Sequence, residues 1–273
     1  MKKINNTLTF FLGVVIILTG CKPDVAKLGA PLNKVDLKFS VTADPANPNN
    51  FILRSLTPNV TPYWVTPVSK STRVTDTVNF PFPGTDTIYY SVESAGGIVT
   101  ADPYVVTVSS IDAGTVNDSM WINLTGGLGQ SKTWRLDVNA IGASKYFSGP
   151  IYFAGPNYSW EWDAGWASWI TPAGDYGSMT FDLIGNANLK VNNKMLPSVS
   201  GTGKFMLNTK TKTLSTFGVD VLRDSTQGSQ IPNWRNNLSI KSLSQDQLQI
   251  VGVNSGNTWI IYNYISQHYF DTH

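Results

Sequence analysis

The sequence has a single cysteine, Cys21, and two histidines, His268 and His273, both within the last six positions. That scarcity excludes several chemistries. A Ser-His-Asp relay or a His-ligated zinc site needs histidine inside a fold. With Cys21 committed elsewhere, no thiol nucleophile, disulfide or Cys-ligated zinc remains, and the core must hold unaided. No catalytic set, metal or cofactor is therefore expected. Glutamate occurs only at Glu93 and Glu161. Charge excess is missing too: 20 basic residues face 18 acidic ones, and Lys2 and Lys3 account for the formal +2. A nucleic-acid binder would show a basic surplus, so nucleic acid is not an expected partner. The longest apolar run, "LTFFLGVVIIL" (8–18), is too short to cross a bilayer as a helix.

That run, preceded by two lysines, reads as a secretory signal over residues 1–20. It ends in "LTGC" (18–21), which resembles a bacterial lipobox. The resemblance implies cleavage before Cys21 and a lipid on Cys21. Residues 21–34 then read as the lipidated cysteine and a tether.

What the chain has in quantity is Thr, Ser, Asn, Gly and aromatics, a composition suited to strands and turns. Residues 35–109 alternate repeatedly. Val35, Leu37, Phe39 and Val41 fall on one strand face; Val78, Phe80 and Phe82 keep step, as do Ile88, Tyr90 and Val92, then Val106 and Val108. Short strands with turn residues between them predict a small antiparallel sandwich. "VDLKFSV" (35–41), "FPFPGTDTIYYSVESAGG" (80–97) and "YVVTV" (104–108) resemble a PKD-type, immunoglobulin-like domain. The family's Trp-Asp-Phe-Gly-Asp-Gly stretch is absent, and "PYWVTPVSK" (62–70) stands near its place, so a spacer role is expected. Residues 110–120 read as a linker. Residues 121–273 carry further strands, in "SKTWRLDVN", "GSMTFDLIG", "GTGKFMLNTKTKTLSTFG", "LSIKSLSQDQLQIVGV" and "NTWIIYNYIS". The expected fold class is all-β, with the PKD-like sandwich followed by a larger antiparallel β-sandwich, jelly-roll-like, with its own core.

One stretch concentrates the costliest apolar side chains. "YSWEWDAGWASW" (158–169) holds Tyr158, Trp160, Trp162, Trp166 and Trp169 beside Glu161 and Asp163. Three readings compete. In a strand, Tyr158, Trp160 and Trp162 share one face and the carboxylates the other, as in a half-buried core strand; Trp134 and Trp259, inside apolar strands, read more firmly as core. As a catalytic pair, Glu161 and Asp163 would have backbones about 7 Å apart, against about 5–5.5 Å between the carboxyls of retaining glycosidases. "EWD" is similar to the Glu-x-Asp-x-x-Glu strand of laminarinase-like glycosidases, but the second Glu is missing. As a binding platform, indole planes stack on the C–H faces of sugar rings while Glu161, Asp163 and Asp175 hold hydroxyls. Trp166 and Trp169 lie in Gly/Pro-containing sequence that need not be strand, and a solvent-facing aromatic patch is usually an interaction site.

"WINLTGGLGQSKTWRLD" (121–137), "PAGDYGSMTFDL" (172–183) and "LSIKSLSQDQLQIVG" (238–252), together with the Trp-rich stretch, are similar to secreted lipoproteins of Bacteroidetes that join a PKD-type domain to a β-sandwich module. The resemblance implies non-catalytic capture of a polysaccharide at the outer-membrane surface, beside a glycan transporter complex and surface glycanases. A β-glucan such as laminarin is the ligand it suggests. The rival expectations are a glycoside hydrolase using Glu161 and Asp163, and an adhesive surface protein with a protein partner.

Overall fold

The computed structural model describes residues 29–163 and 165–273. The expected signal stretch, Cys21 and the first part of the expected tether lie outside the described residues. No helix among the described residues is long and apolar enough to cross a membrane.

The chain is all-β with antiparallel sheets. Its first unit uses β1 (Phe39–Asp44), β2 (Asn47–Ser55), β3 (Thr61–Val65), β4 (Lys70–Ser71), β5 (Thr75–Asn79), β6 (Gly84–Ser94), β7 (Gly97–Thr100) and β8 (Tyr104–Val108). One sheet runs β1-β2-β5; the other runs β4-β3-β6-β7, with β8 also paired to β6. Alternation explains the core between them. Ile88, Tyr90 and Val92 point inward on β6, and meet Phe51, Leu53, Trp64, Val78 and Phe80. The Trp64 and Tyr90 rings lie 4.5 Å apart, and the Tyr90 hydroxyl is 2.6 Å from Ser55 Oγ. Val35 departs from the expected strand: it sits in a 3-10 turn, Lys34–Asp36, and is 88 % exposed. The end of the tether docks here, with the Gly29 N–H donating to the Ala95 carbonyl and Leu32 packed on the core.

Residues 110–120, expected as a linker, are ordered by Asp112. Its carboxylate accepts from the Gly114 N–H, from Asn47 and Asn79 side chains and from Thr115 Oγ1. Partial burial opposes its ionisation, but the hydrogen bonds from Thr115, Asn79 and Asn47 outweigh it and hold the carboxyl below the ordinary range. A helix, Ser119–Thr125, follows. Asp118 caps it by accepting from the Met120 N–H, and Gly126 ends it at φ 87°, a left-handed conformation that favours glycine. Phe82, in step with Val78 and Phe80 by sequence, leaves their core for the next one. Its ring meets Trp121 edge-on at 5.4 Å.

The second unit uses β9 (Ser131–Leu136), β10 (Ile151–Ala154), β11 (Glu161–Trp162), β12 (Gly177–Asp182), β13 (Asn188–Asn193), β14 (Gly201–Asn208), β15 (Thr213–Phe217), β16 (Leu238–Leu243), β17 (Gln247–Val253) and β18 (Trp259–Ser266). They form a ten-stranded sheet ordered β11-β10-β18-β17-β16-β15-β14-β13-β12-β9, in which β9 also pairs with β18. The sandwich edges are thereby hydrogen-bonded shut. With β10 and β11 set aside as a branch, the other eight strands make a closed ring. From β12 to β18 each strand pairs with its neighbour in sequence, so the order is up-and-down. That corrects the jelly-roll-like expectation, because a meander has no crossing connection.

Side chains fill the ring: Trp134, Phe181, Phe205, Leu248, Ile250, Ile260 and Tyr264 are buried in one core. The helix Ser119–Thr125 touches β9, β12 and β16 and closes one end with Trp121 and Leu124. Residues 219–234 close the other end through Val221, Leu222, Ile231 and Trp234. Trp134 is core as expected. Trp259 is not; it lies half-buried on the outer face of β18, in a small cluster with Tyr152 and Ile261.

Candidate functional site

β18 has two partners on one side. Its first half pairs with β10 and its last residues pair with β9. Asp137 makes this switch possible. It is fully buried and its carboxylate accepts from the N–H groups of Lys145, Tyr146 and Phe147, pinning the segment between β9 and β10. Burial nonetheless holds its carboxyl above the ordinary range. β10 and β11 form the resulting flap, with Phe153 opposite Trp162 and Ala154 opposite Glu161.

A tight turn joins the two strands. The Gly155 N–H donates to the Trp160 carbonyl at 2.9 Å. Asn157 and Tyr158 both have positive φ, 52° and 56°. Asn tolerates this conformation; a bulky Tyr does not without support. Support comes from Trp259, edge-on to Tyr158 at 5.0 Å, and from Lys241, whose ammonium lies 4.4 Å from the Tyr158 ring centroid. The Trp160 indole lies against Gly155 so closely that a Cβ there would come within 2.4 Å of Nε1.

The flap has two chemically distinct faces, because neighbours along a strand point oppositely. On one face, Phe153, Trp162 and Trp169 stack in a column. Phe153 and Trp162 centroids are 5.5 Å apart at 23°, and Trp162 and Trp169 are 5.7 Å apart at 20°. Phe153 packs on the barrel core, while Trp162 is 48 % and Trp169 58 % exposed. On the other face, Glu161 Oε1 accepts from Lys241 Nζ at 2.7 Å, and Lys241 also donates to the Tyr152 hydroxyl. Burial alone would lower the Lys241 pKa, but its bonds to Glu161 and Tyr152 raise it above the ordinary lysine range. Lys241 thus remains a cation and straps the flap to β16.

The sequence candidates therefore separate. The strand expected through Tyr158, Trp160 and Trp162 shrinks to Glu161–Trp162, and Trp160 and Trp162 are each 48 % exposed rather than core. Tyr158 and Glu161 belong to the Lys241 face, away from the column. Asp163 Oδ1 accepts from the Gly165 N–H at 2.9 Å and shapes a turn. Trp166 points inward against the core; its Nε1 donates to the Thr171 carbonyl at 3.0 Å, and its ring lies over Gly142. Asp175 has both oxygens committed, one to Arg135 at 2.6 Å and the Gly177 N–H, the other to Lys194. Three residues missing from the sequence reading complete the site: Phe153, the base of the column, and Lys241 and Tyr152, the strap. Nothing local in "IYFA" or "LSIKSL" marks them, since their roles depend on long-range pairing. Among the described residues, no group of three or more His, Cys, Asp or Glu could hold a metal ion.

Partial burial opposes ionisation of Asp175, but Lys194, the Gly177 N–H and Arg135 outweigh it and lower its pKa. A lowered carboxyl contributes stability above its unfolded pKa, and loses it as pH falls through the folded value. Asp175→Asn is expected to cost about 0.2–1 kcal/mol at about pH 7, a small effect because the ions are partly solvated. The difference from wild type should close in acid, as read by thermal unfolding at both pH values.

No protein-family model matches the sequence, and no curated protein matches it.

Proposed function

We propose that the protein is a non-catalytic, lipid-anchored surface protein of the outer membrane that captures a neutral polysaccharide for uptake and degradation. The flap holds the glycan, with Trp169 and Trp162 as the stacking rings. One observation carries the reading: two indoles are stacked at 5.7 Å above a phenylalanine packed on the barrel core, yet each remains about half exposed. Burying both would remove more apolar surface from water, so their exposure favours an external partner. The rings are already stacked on one another, which limits the ordering cost of binding. The nearby ions Glu161 and Lys241 cancel, which suits an uncharged ligand. A β-glucan such as laminarin is the first ligand to try, with millimolar to micromolar affinity expected for a few stacked rings (roughly 4–8 kcal/mol). The first unit acts as a spacer, and an outer-membrane glycan transporter complex is the partner this role implies.

Affinity electrophoresis of the full-length protein, in a detergent lacking a sugar headgroup, tests this against a panel of gel-cast polysaccharides. Retardation by one glycan, lost in Trp169→Ala and without release of reducing sugar, supports the proposal. Free migration of folded protein in every gel overturns it. Release of reducing sugar that Glu161→Gln abolishes would replace it with a hydrolase.

A further inference from the structure

A groove runs between the sandwich and the barrel. It contains two hollows, of about 330 Å³ and about 180 Å³, which share Val68, Pro81 and Met206. The larger lies at the low end of the range for small-ligand sites. Its barrel wall is the outer face of β14 and β15, where Lys204 stands opposite Phe217 in the ladder. Phe217 is 49 % exposed. Its sandwich wall is the start of β6, and this wall carries an anomaly. Asp86 has the same parity as Ile88, Tyr90 and Val92, all buried in the sandwich core. It is a half-buried carboxylate on the inward face, and its side chain has no hydrogen bond or ion pair among the described residues. Burial holds its carboxyl above the ordinary range.

We propose that this groove is a second saccharide site, which takes a short neutral oligosaccharide against Phe217 with hydroxyls donated to Asp86. The groove and such a ligand are chemically complementary. The apolar walls and the exposed Phe217 ring suit the C–H face of a pyranose. An unpartnered, partly desolvated carboxylate needs donors, and a sugar supplies hydroxyls in adjacent pairs. Lys204 in the same lining balances Asp86, so neither an anionic nor a cationic ligand is favoured. The shared lining of the two hollows favours an oligomer over a single ring. The inference rests on the groove's own lining and not on the flap. The competing explanation is that an inward charge merely discourages edge-to-edge sheet pairing; that role involves no ligand.

The test is isothermal titration of full-length protein in a zwitterionic detergent with laminarihexaose, cellohexaose, maltohexaose and mannohexaose in turn. The Trp169→Ala protein, its flap disabled, should still bind one of the four. Adding Phe217→Ala or Asp86→Leu should weaken that binding by about tenfold or more, with Asp86→Asn milder. Phe217 is a surface residue, so its variant reports on binding with the fold intact, and circular dichroism checks each protein. If Trp169→Ala binds none of the four, the groove is not a site. Residual binding that ignores both groove substitutions overturns the proposal equally. Binding unaffected by Trp169→Ala but lost with Phe217→Ala would sustain the groove and sink the flap.

Discussion

Asp224→Ala is expected to destabilise the protein by about 3–5 kcal/mol. Asp224 is fully buried within the segment 219–234 that closes the barrel. One oxygen accepts from the Thr226 and Gln227 N–H groups at 2.7 and 2.8 Å; the other accepts from the Gly228 N–H at 2.9 Å and the Tyr262 hydroxyl at 2.5 Å. Removing the carboxylate leaves four donors without their partner, three of them in buried bonds, and unpaired buried donors cost more than the bonds themselves contribute. Burial and the Asp224 charge push Tyr262 ionisation far above its ordinary value, so its hydroxyl remains a donor. Asp224→Asn keeps the shape but turns an NH2 group toward N–H donors on one side, so it should fall between wild type and Ala. Urea unfolding of the three proteins gives the ranking. Near-equal midpoints for wild type and Asp224→Ala would mean that the 219–234 segment contributes little to the fold.

The second large effect is expected at Trp121, for a different reason. Its indole is buried, meets Phe82 of the first unit at 5.4 Å and lies 5.5 Å from Phe205 inside the barrel. Truncating a buried tryptophan costs about 3–5 kcal/mol through lost contacts and the cavity left behind. Here the same truncation also empties the seat of Phe82. Calorimetry should show one unfolding transition for wild type. Trp121→Ala should show two, the lower one from the barrel that has lost its end closure. A single shifted transition would show that the bonds around Asp112 and the Asn186 contact with the Pro83 carbonyl couple the units unaided.

Strands with one solvated face were legible in the sequence. β6, β12, β14 and β15 lie where alternation places them, and β18, covered on both faces, is long enough for its apolar run to mark it. β10 escaped because "IYFA" is covered on both sides and has no alternation to read. The helix Ser119–Thr125 carried its signals, Asp118 before it and Gly126 after it, but its neighbourhood of small polar residues reads equally as linker. Ring closure was not legible, since it depends on β9 pairing with strands far away in sequence on both sides. The aromatic stretch shows the limit most clearly. Tyr158, Trp160 and Trp162 alternate as a strand should, yet positive φ at Asn157 and Tyr158 breaks the strand before Trp160. Burial then has nothing to do with their parity. That Trp162 and Trp169 would face solvent together could be suspected from Gly165 and Pro172 nearby; that they would stack on Phe153 could not.

Because β10 and β9 occupy different lengths of β18, the flap resembles a tear-off tab on a sealed can. Tension applied to the flap itself, at Trp160 or Trp162, would fall first on the short ladder from Ile151↔Tyr262 to Ala154↔Trp259. The seam at Tyr264↔Leu136 to Ser266↔Trp134, which keeps the ring shut, lies beyond it along the same strand. The tab is therefore expected to peel while the can stays closed. In a pulling experiment with its handle at residue 160, the first rupture should release only the flap and the loops beside it, with the barrel's own extension following as a separate, later event.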